Sequence, residues 1–198
     1  MTAARYDPQH MPKLILIKHA PPQQDPNVSS HDWKLSEAGK AKAAALAERL
    51  RPHAPKRILT SDEPKAIETG EIIAAALGVP GEIIPDLHEH DRSNVPQMPT
   101  REFISSMALF FKRRNELVLG KETAEQAERR VRGAIDGILS KHAGEDVAIV
   151  THGTVLALYL ASLLRTDAFE LWRRWGLPSY VVIDRETKQA VETVERID

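Results

Sequence analysis

Two separated stretches of the chain share one construction, a short apolar run followed by one further residue and then a histidine. The run at 14–17 leads through Lys18 to His19, and the run at 147–150 leads through Thr151 to His152. Continuous runs of branched apolar residues are typical of strands buried on both faces, as in a parallel sheet. We therefore expect both histidines at the carboxyl ends of central strands, where open α/β sheets bind ligands. This placement predicts one shared site.

The rest of the chain alternates between strand and helix patterns. We predict strands over residues 13–18, 57–60, 82–84, 147–150, 179–184 and 190–194. We predict helices over residues 36–50, 61–77, 122–142 and 167–175, and a further helix from residue 154. The pattern weakens over residues 92–120, which we interpret as a small cap insertion lying over the strand edge. Strands alternating with helices predict one three-layer α/β/α domain over residues 1–198, with a mostly parallel central sheet.

Composition excludes several classes of function. The net charge is −1, with 27 basic and 28 acidic residues interspersed, which argues against nucleic-acid binding. The absence of cysteine excludes disulfides and thiol catalysis, and it fits a reducing compartment. The segment from Met1 to Pro12 lacks the apolar region of a secretory signal, and the longest apolar stretch, 155–164, has half the length that a membrane span needs. We therefore expect a soluble cytoplasmic protein that binds no membrane; a homodimer stays open.

A third motif accompanies the two histidine motifs, the sequence TSDEPKAIET over residues 60–69. Together the three resemble the histidine phosphatase superfamily, specifically its phosphoglycerate mutase-like branch 1 phosphatases. That family's pattern runs from strand-Arg-His-Gly through Ser-x-x-x-Arg-Ala-x-x-Thr and a glutamate to strand-x-His-Gly. Order and rough spacing both fit over residues 13–184. The resemblance implies a phosphoglycerate mutase-like fold and a metal-independent phosphomonoesterase that needs no cofactor and acts on a small phosphorylated metabolite through a phosphohistidine.

The resemblance also assigns roles to individual residues. It makes His19 the nucleophile, because neutral imidazole offers a lone pair and a covalent intermediate divides one hard displacement into two easier ones. Glu89, in the Leu-x-Glu context of the family's acid, becomes the general acid and base. His152 is the third catalytic residue that the resemblance implies. The expected phosphate ligands are Lys18, Lys65, His152 and Gly153, since phosphoryl transfer depends mainly on positioning and charge stabilisation.

The chain departs from the family pattern at three positions. Lys18 and Lys65 stand where the family has arginine, and Ala20 replaces a glycine. Arginine offers phosphate a rigid fork, whereas lysine is a mobile point charge. Charge is retained, so we expect phosphate binding with less geometric precision. Because losing one well-placed donor costs ~10²–10³ in rate, the activity is expected to be reduced.

Several alternatives stay open at this stage. The His-x-His at residues 88–90 suggests a metal site, but no further histidine or cysteine lies at a recognisable ligand spacing. Arg92, in the insertion, either contacts the substrate beyond its phosphate or is solvated. The chain is alternatively a catalytically weak or inactive phosphate-binding or regulatory protein of the same fold. A phosphoglycerate mutase-type phosphotransferase is less favoured, because residues 89–93 lack the Glu-Arg-His-Tyr-Gly segment of such mutases.

Overall fold

The computed structural model describes residues 11–198, which are arranged around one mixed β-sheet. The prediction that the first residues form no secretory signal concerns mainly residues 1–10, which lie outside this range. The strands are β1 (Lys13–Lys18), β2 (Arg57–Thr60), β3 (Gly81–Ile83), β4 (Val147–Thr151), β5 (Ser179–Asp184) and β6 (Ala190–Val194). Their order across the sheet is β3-β2-β4-β1-β5-β6. Strands β1 to β4 are mutually parallel, β5 runs antiparallel to β1, and β6 runs antiparallel to β5, which confirms the mostly parallel sheet.

The register of β1 against β4 explains why the two histidines meet. The strands are parallel neighbours, and Lys18 is paired with Thr151 at their carboxyl ends. His19 and His152 are the next residues of the two strands, and the His19 amide still donates to the Thr151 carbonyl at 3.0 Å. The predicted convergence at one sheet edge is confirmed.

Helices cover both faces of the sheet, which is why the strand cores are continuously apolar. They are α1 (Glu37–Leu50), α2 (Pro64–Leu77), α3 (Thr100–Lys112), α4 (Ala124–Lys141), α5 (Gly153–Leu164) and α6 (Ala168–Arg174). Side chains alternate along β1, so Ile15 and Ile17 pack with α1 and α2, while Leu14 and Leu16 pack in a second core with α3 to α6. The predicted three-layer α/β/α architecture is confirmed.

Most predicted element boundaries hold to within two residues, but one helix start is wrong in a consequential way. Ser61 does not open α2, which begins at Pro64 after an extended Glu63. Proline fits the first helical turn because its missing amide hydrogen would have no partner there. Ser61 instead continues the strand, its amide donating to the Val150 carbonyl at 2.9 Å. The helix after β4 begins at Gly153, one residue earlier than predicted.

The segment at 92–120 contains α3, whose Met107 and Phe110 are fully buried in the core. Arg92 precedes this helix, with its guanidinium 5.3 Å from the ring centre of Phe103. The role of the segment as a cap, like the division of the chain into domains, stays a prediction. Within the part of the chain that the structure describes, none of the helices combines the length and the apolar character that crossing a bilayer requires.

Candidate active site

His19 and His152 face each other at the carboxyl edge of β1 and β4. Their ring centres are 5.1 Å apart, and the planes are tilted by 60°. Both side chains are buried, with 6% and 0% of their surface exposed. One small group at this edge is therefore within reach of both rings.

The hydrogen bonding of His19 fixes which ring nitrogen carries the proton. Its Nδ1 lies 2.8 Å from the Ala20 carbonyl oxygen, which only accepts, so Nδ1 is the donor and the Nε2 lone pair is free. Burial lowers the pKa of His19 well below its usual value, and the charges of His152, Lys65 and Lys18 act in the same direction. A neutral imidazole with an unshared lone pair is the form that a nucleophile needs.

His152 has one nitrogen engaged and one unpaired. Its Nε2 is 2.8 Å from the Ser61 hydroxyl, whereas Nδ1 is buried with no hydrogen-bond partner among residues 11–198. Burial lowers the pKa of His152 to about 4, although Glu63 acts against this. An unpaired buried donor is costly unless a ligand satisfies it. When Ser61 donates to Nε2, the Nδ1 hydrogen is available to a phosphate oxygen.

Lys18 reaches the site across Gly153. Its ammonium donates to the Trp175 carbonyl at 2.7 Å. A Cβ on Gly153 would lie 2.9 Å from the Lys18 Cε, so the absence of a side chain makes this path possible. Burial lowers the pKa of Lys18 to about 8, partly offset by the nearby carboxylate of Glu89.

Lys65, at the start of α2, is held from two sides. Its ammonium donates to the Ser30 carbonyl at 2.6 Å and forms an ion pair with Glu63. Only 5% of the residue is exposed. An ammonium group has three donors, so these contacts leave one N–H for a ligand.

Glu63 links most of the other site residues. Besides Lys65, its carboxylate lies 3.3 Å from His31 Nδ1 and 3.5 Å from His152 Nε2, and it accepts the Glu89 amide at 2.6 Å. Burial acts to raise the pKa of Glu63, but His152, the His31 hydrogen bond and Lys65 together hold it well below its usual value. The group is therefore an ionised carboxylate enclosed in the site. His31, its partner, has a raised pKa for the same reason.

Glu89 sits against the first turn of α5. Its carboxylate accepts the amides of Thr154 at 3.0 Å, Val155 at 3.3 Å and His90 at 2.8 Å. Burial acts to raise the pKa of Glu89, but Arg92, His152 and these amide donors outweigh it and bring the value to about 2. The residue is ionised in the unliganded protein.

Arg92 contacts the first turn of α5 and also lines a cavity. Its Nη1 is 3.3 Å from the Thr154 hydroxyl, and it lines a cavity of about 380 Å³ between residues 25–33 and 92–97. Ser30, whose carbonyl holds Lys65, lines the same cavity. The cavity thus adjoins the site on the side of both residues. Contact between Arg92 and a substrate stays a prediction.

The residues considered for a metal have other partners. Across residues 11–198, no group of three or more His, Cys, Asp or Glu side chains is placed to hold a metal ion. His90 packs its ring 4.2 Å from that of Phe110, and its Nε2 lies 3.1 Å from the Glu122 carbonyl. The His90 ring is therefore engaged by Phe110 and by the Glu122 carbonyl.

The sequence-based prediction missed three side chains of this site. Glu63 and Ser61 lie inside the motif at 60–69, and a charged residue beside a buried helix start was an available signal for Glu63. His31 gave no such signal, because it lies in a polar loop without periodicity. The predicted residues Lys18, His19, Lys65, Glu89, His152 and Gly153 all lie at this edge of the sheet.

Comparison with known proteins agrees with this geometry. The histidine phosphatase superfamily (branch 1) matches residues 14–196. The chain belongs to this superfamily. A solved structure similar to this family member, Bacillus stearothermophilus YhfR, superposes with a TM-score of 0.74 at 25% identity, covering 92% of this chain and 96% of the other.

Two sequence relatives of this histidine phosphatase carry functional names. A metal-independent phosphoserine phosphatase from Arabidopsis thaliana is 35% identical over 146 residues, which are 69% of this chain and 61% of the relative. A Yersinia enterocolitica protein named "Probable phosphoglycerate mutase GpmB" is 30% identical over 141 residues, 67% of this chain and 64% of that protein. The chain thus spans less than two thirds of the length of these relatives.

Proposed function

We propose that this histidine phosphatase is a metal-independent phosphomonoesterase that acts on a small phosphorylated metabolite through a phosphohistidine at His19. The observation that carries the proposal is the buried pair of histidines, with ring centres 5.1 Å apart and both Lys18 and Lys65 directed to the same edge. A nucleophile and several donors around one small space suit transfer of a phosphoryl group.

In the first step, the Nε2 lone pair of His19 attacks phosphorus while the bond from phosphorus to the ester oxygen breaks. The neutral state of His19 and its Nδ1 hydrogen bond to Ala20 prepare Nε2 for this attack. The remaining Lys65 donor, the Lys18 ammonium and the His152 Nδ1 hydrogen stabilise the phosphoryl oxygens. The Gly153 amide at the start of α5 adds a backbone donor and a favourable helix dipole.

Glu89 is ionised before substrate binds, so it has no proton of its own to give to the leaving oxygen. A phosphomonoester has a second pKa of about 6, so the monoanion of the substrate carries a proton that can serve this purpose. Glu89 receives this proton from the bound monoanion and delivers it to the leaving oxygen as the ester bond breaks. In the second step the carboxylate takes a proton from water, whose oxygen attacks phosphorus while the bond from phosphorus to Nε2 breaks and neutral His19 is restored. The proton then passes from Glu89 to the phosphate, which leaves as the monoanion, and Glu89 is ionised again.

The proposed substrate class rests on the cavity that Arg92 and Ser30 line. Its volume of about 380 Å³ suits a small metabolite, and Arg92 offers a cation to a negatively charged part of it. Similarity to a phosphoserine phosphatase makes phosphoserine the first substrate to test. A cytoplasmic location and a homodimer stay predictions from the sequence.

The deciding experiment is turnover of p-nitrophenyl phosphate and phosphoserine, with the phosphoenzyme trapped by rapid quenching. We expect an acid-labile, base-stable phosphoenzyme in the unchanged protein and none in His19→Ala. His142→Asn is the matched control, because His142 is a buried histidine beyond the end of α4, and it should retain activity. A label carried by His152 or a serine would contradict the assignment of His19.

The same assays address the two alternatives. Conversion of 3-phosphoglycerate to 2-phosphoglycerate, at a rate above phosphate release, would identify a mutase, which the similarity to a phosphoglycerate mutase makes worth testing. Binding of inorganic phosphate without turnover of any ester would identify a phosphate-binding protein of the same fold.

A further inference from the structure

Glu63 is an acidic residue enclosed in a site that has to bind an anion. It precedes α2 at the N-cap position, yet its side chain makes no capping hydrogen bond to that helix. The carboxylate turns into the site instead, where only 4% of the residue is exposed. Because a carboxylate repels phosphate, its place there needs a reason beyond helix capping.

The contacts of Lys65 supply that reason. One of its three N–H groups goes to Ser30 at 2.6 Å and one to Glu63, so the third has its direction fixed by the other two. A lysine held in this way is a directed donor, unlike the mobile point charge that an unrestrained lysine presents. Glu63 is thus joined to Lys65 in the same motif and on the same turn.

We propose that Glu63 is a positioning residue that orients Lys65 toward the phosphoryl group, so that Glu63 and Lys65 together replace a single arginine. The proposal rests on the phosphatase function proposed above. The Glu63 carboxylate also accepts the Glu89 amide at 2.6 Å and lies 3.5 Å from His152 Nε2. The Glu63 carboxylate therefore contacts both Lys65, the expected hydrogen-bond donor to phosphate, and the backbone amide of Glu89.

The test is Glu63→Gln, which retains the size of the side chain but removes its charge. Loss of orientation should lower kcat by about 10- to 100-fold, somewhat less than the ~10²–10³ expected for losing a donor outright. Removing a negative charge beside the anion should leave the inhibition constant for inorganic phosphate unchanged or lower. A variant whose site is merely distorted would instead bind phosphate more weakly as kcat falls.

Glu128→Gln is the matched control, because Glu128, on α4, is another buried glutamate. It is ion-paired with Arg114 and Arg132. Its kcat should stay within about twofold of the unchanged protein, as for substitutions remote from a site. In the double variant Glu63→Gln/Lys65→Met, kcat should be no lower than in Lys65→Met alone, because Glu63 acts through Lys65.

Three results would overturn the proposal: additive losses in the double variant, an unchanged kcat in Glu63→Gln, or a raised inhibition constant for phosphate. The kcat and inhibition constant of each variant are compared with those of the unchanged protein, measured with p-nitrophenyl phosphate as substrate. Absence of turnover in the unchanged protein would instead contradict the phosphatase function, which keeps the two failures distinguishable.

Discussion

The two lysines predicted to stand at arginine positions of the family pattern occupy contrasting environments. Lys18, at the end of β1, donates to the uncharged Trp175 carbonyl, and burial lowers its pKa to about 8. Lys65, at the start of α2, is ion-paired with the buried Glu63 and also donates to Ser30. Lysine is therefore a cation without an ion-pair contact at position 18 and an ion-paired cation at position 65.

This difference shows that residue type alone does not define a phosphate ligand. Burial without an ion-pair contact makes the charge of Lys18 conditional on pH, since desolvation disfavours the charged form and the nearby Glu89 offsets this only in part. Lys65 and Glu63 form a buried ion pair, so removing either residue leaves the other as an uncompensated buried charge. The two lysines should consequently respond differently to substitution and to pH.

The largest expected contrast is between Lys65→Met and Lys18→Met. Removing Lys65 takes an ion-pair partner from the buried Glu63 and should lower the free energy of unfolding by about 3 kcal/mol, or Tm by roughly 6–12 °C. It should also lower kcat/KM by ~10²–10³. Lys18→Met removes a cation that is unfavourably buried, so Tm should stay unchanged or rise even though activity falls. Thermal unfolding followed by circular dichroism checks both; equal losses of Tm would remove the contrast.

A smaller effect should appear in the pH dependence of Lys18→Arg. Below pH 8 both side chains are charged, so the ratio of kcat/KM between variant and unchanged protein should be constant. Above pH 8 Lys18 loses its proton while arginine keeps its charge, so this ratio should rise by about tenfold per pH unit.

The ratio cancels the ionisation of the substrate and of the other site residues, and it therefore isolates residue 18. Lys65→Arg serves as the comparison at the ion-paired position. A ratio for Lys18→Arg that stays flat to pH 10 would show that Lys18 does not titrate in this range.

The smallest expected effect is that of Gly153→Ala. The added Cβ would lie 2.9 Å from the Lys18 Cε and 3.2 Å from its Nζ, so the flexible end of Lys18 must move. We expect kcat/KM to fall by less than about tenfold, and to change little when the same substitution is made in Lys18→Ala. Gly133→Ala, where an added Cβ meets nothing within 4 Å, is the control. An equal loss in both backgrounds would indicate that Gly153 acts through its own amide.

The architecture was predictable because its causes are local. Continuous apolar runs predict β1 and β4, because such runs are typical of strands buried on both faces. Ser36 marks the start of α1 and Gly78 the end of α2. The start of α2 was wrong, because Ser61 resembles an N-cap in sequence but bonds to Val150 and His152 in the fold. When a residue such as Ser61 could bond to either of two partners, the tertiary structure determines which bond forms.

The sequence by itself determined that two histidines end two buried strands and that the motif at 60–69 lies between them along the chain. Strand patterns and turn chemistry carry that information within a few residues, so no distant contact is needed to interpret it. Only the tertiary structure decided the charge state of the site. Arg92, His152 and the amides of α5 keep Glu89 ionised. Glu63 compensates Lys65, while Lys18 lacks an ion-pair contact of that kind. A pKa depends on burial and on charges brought together from separate segments, and folding alone supplies both.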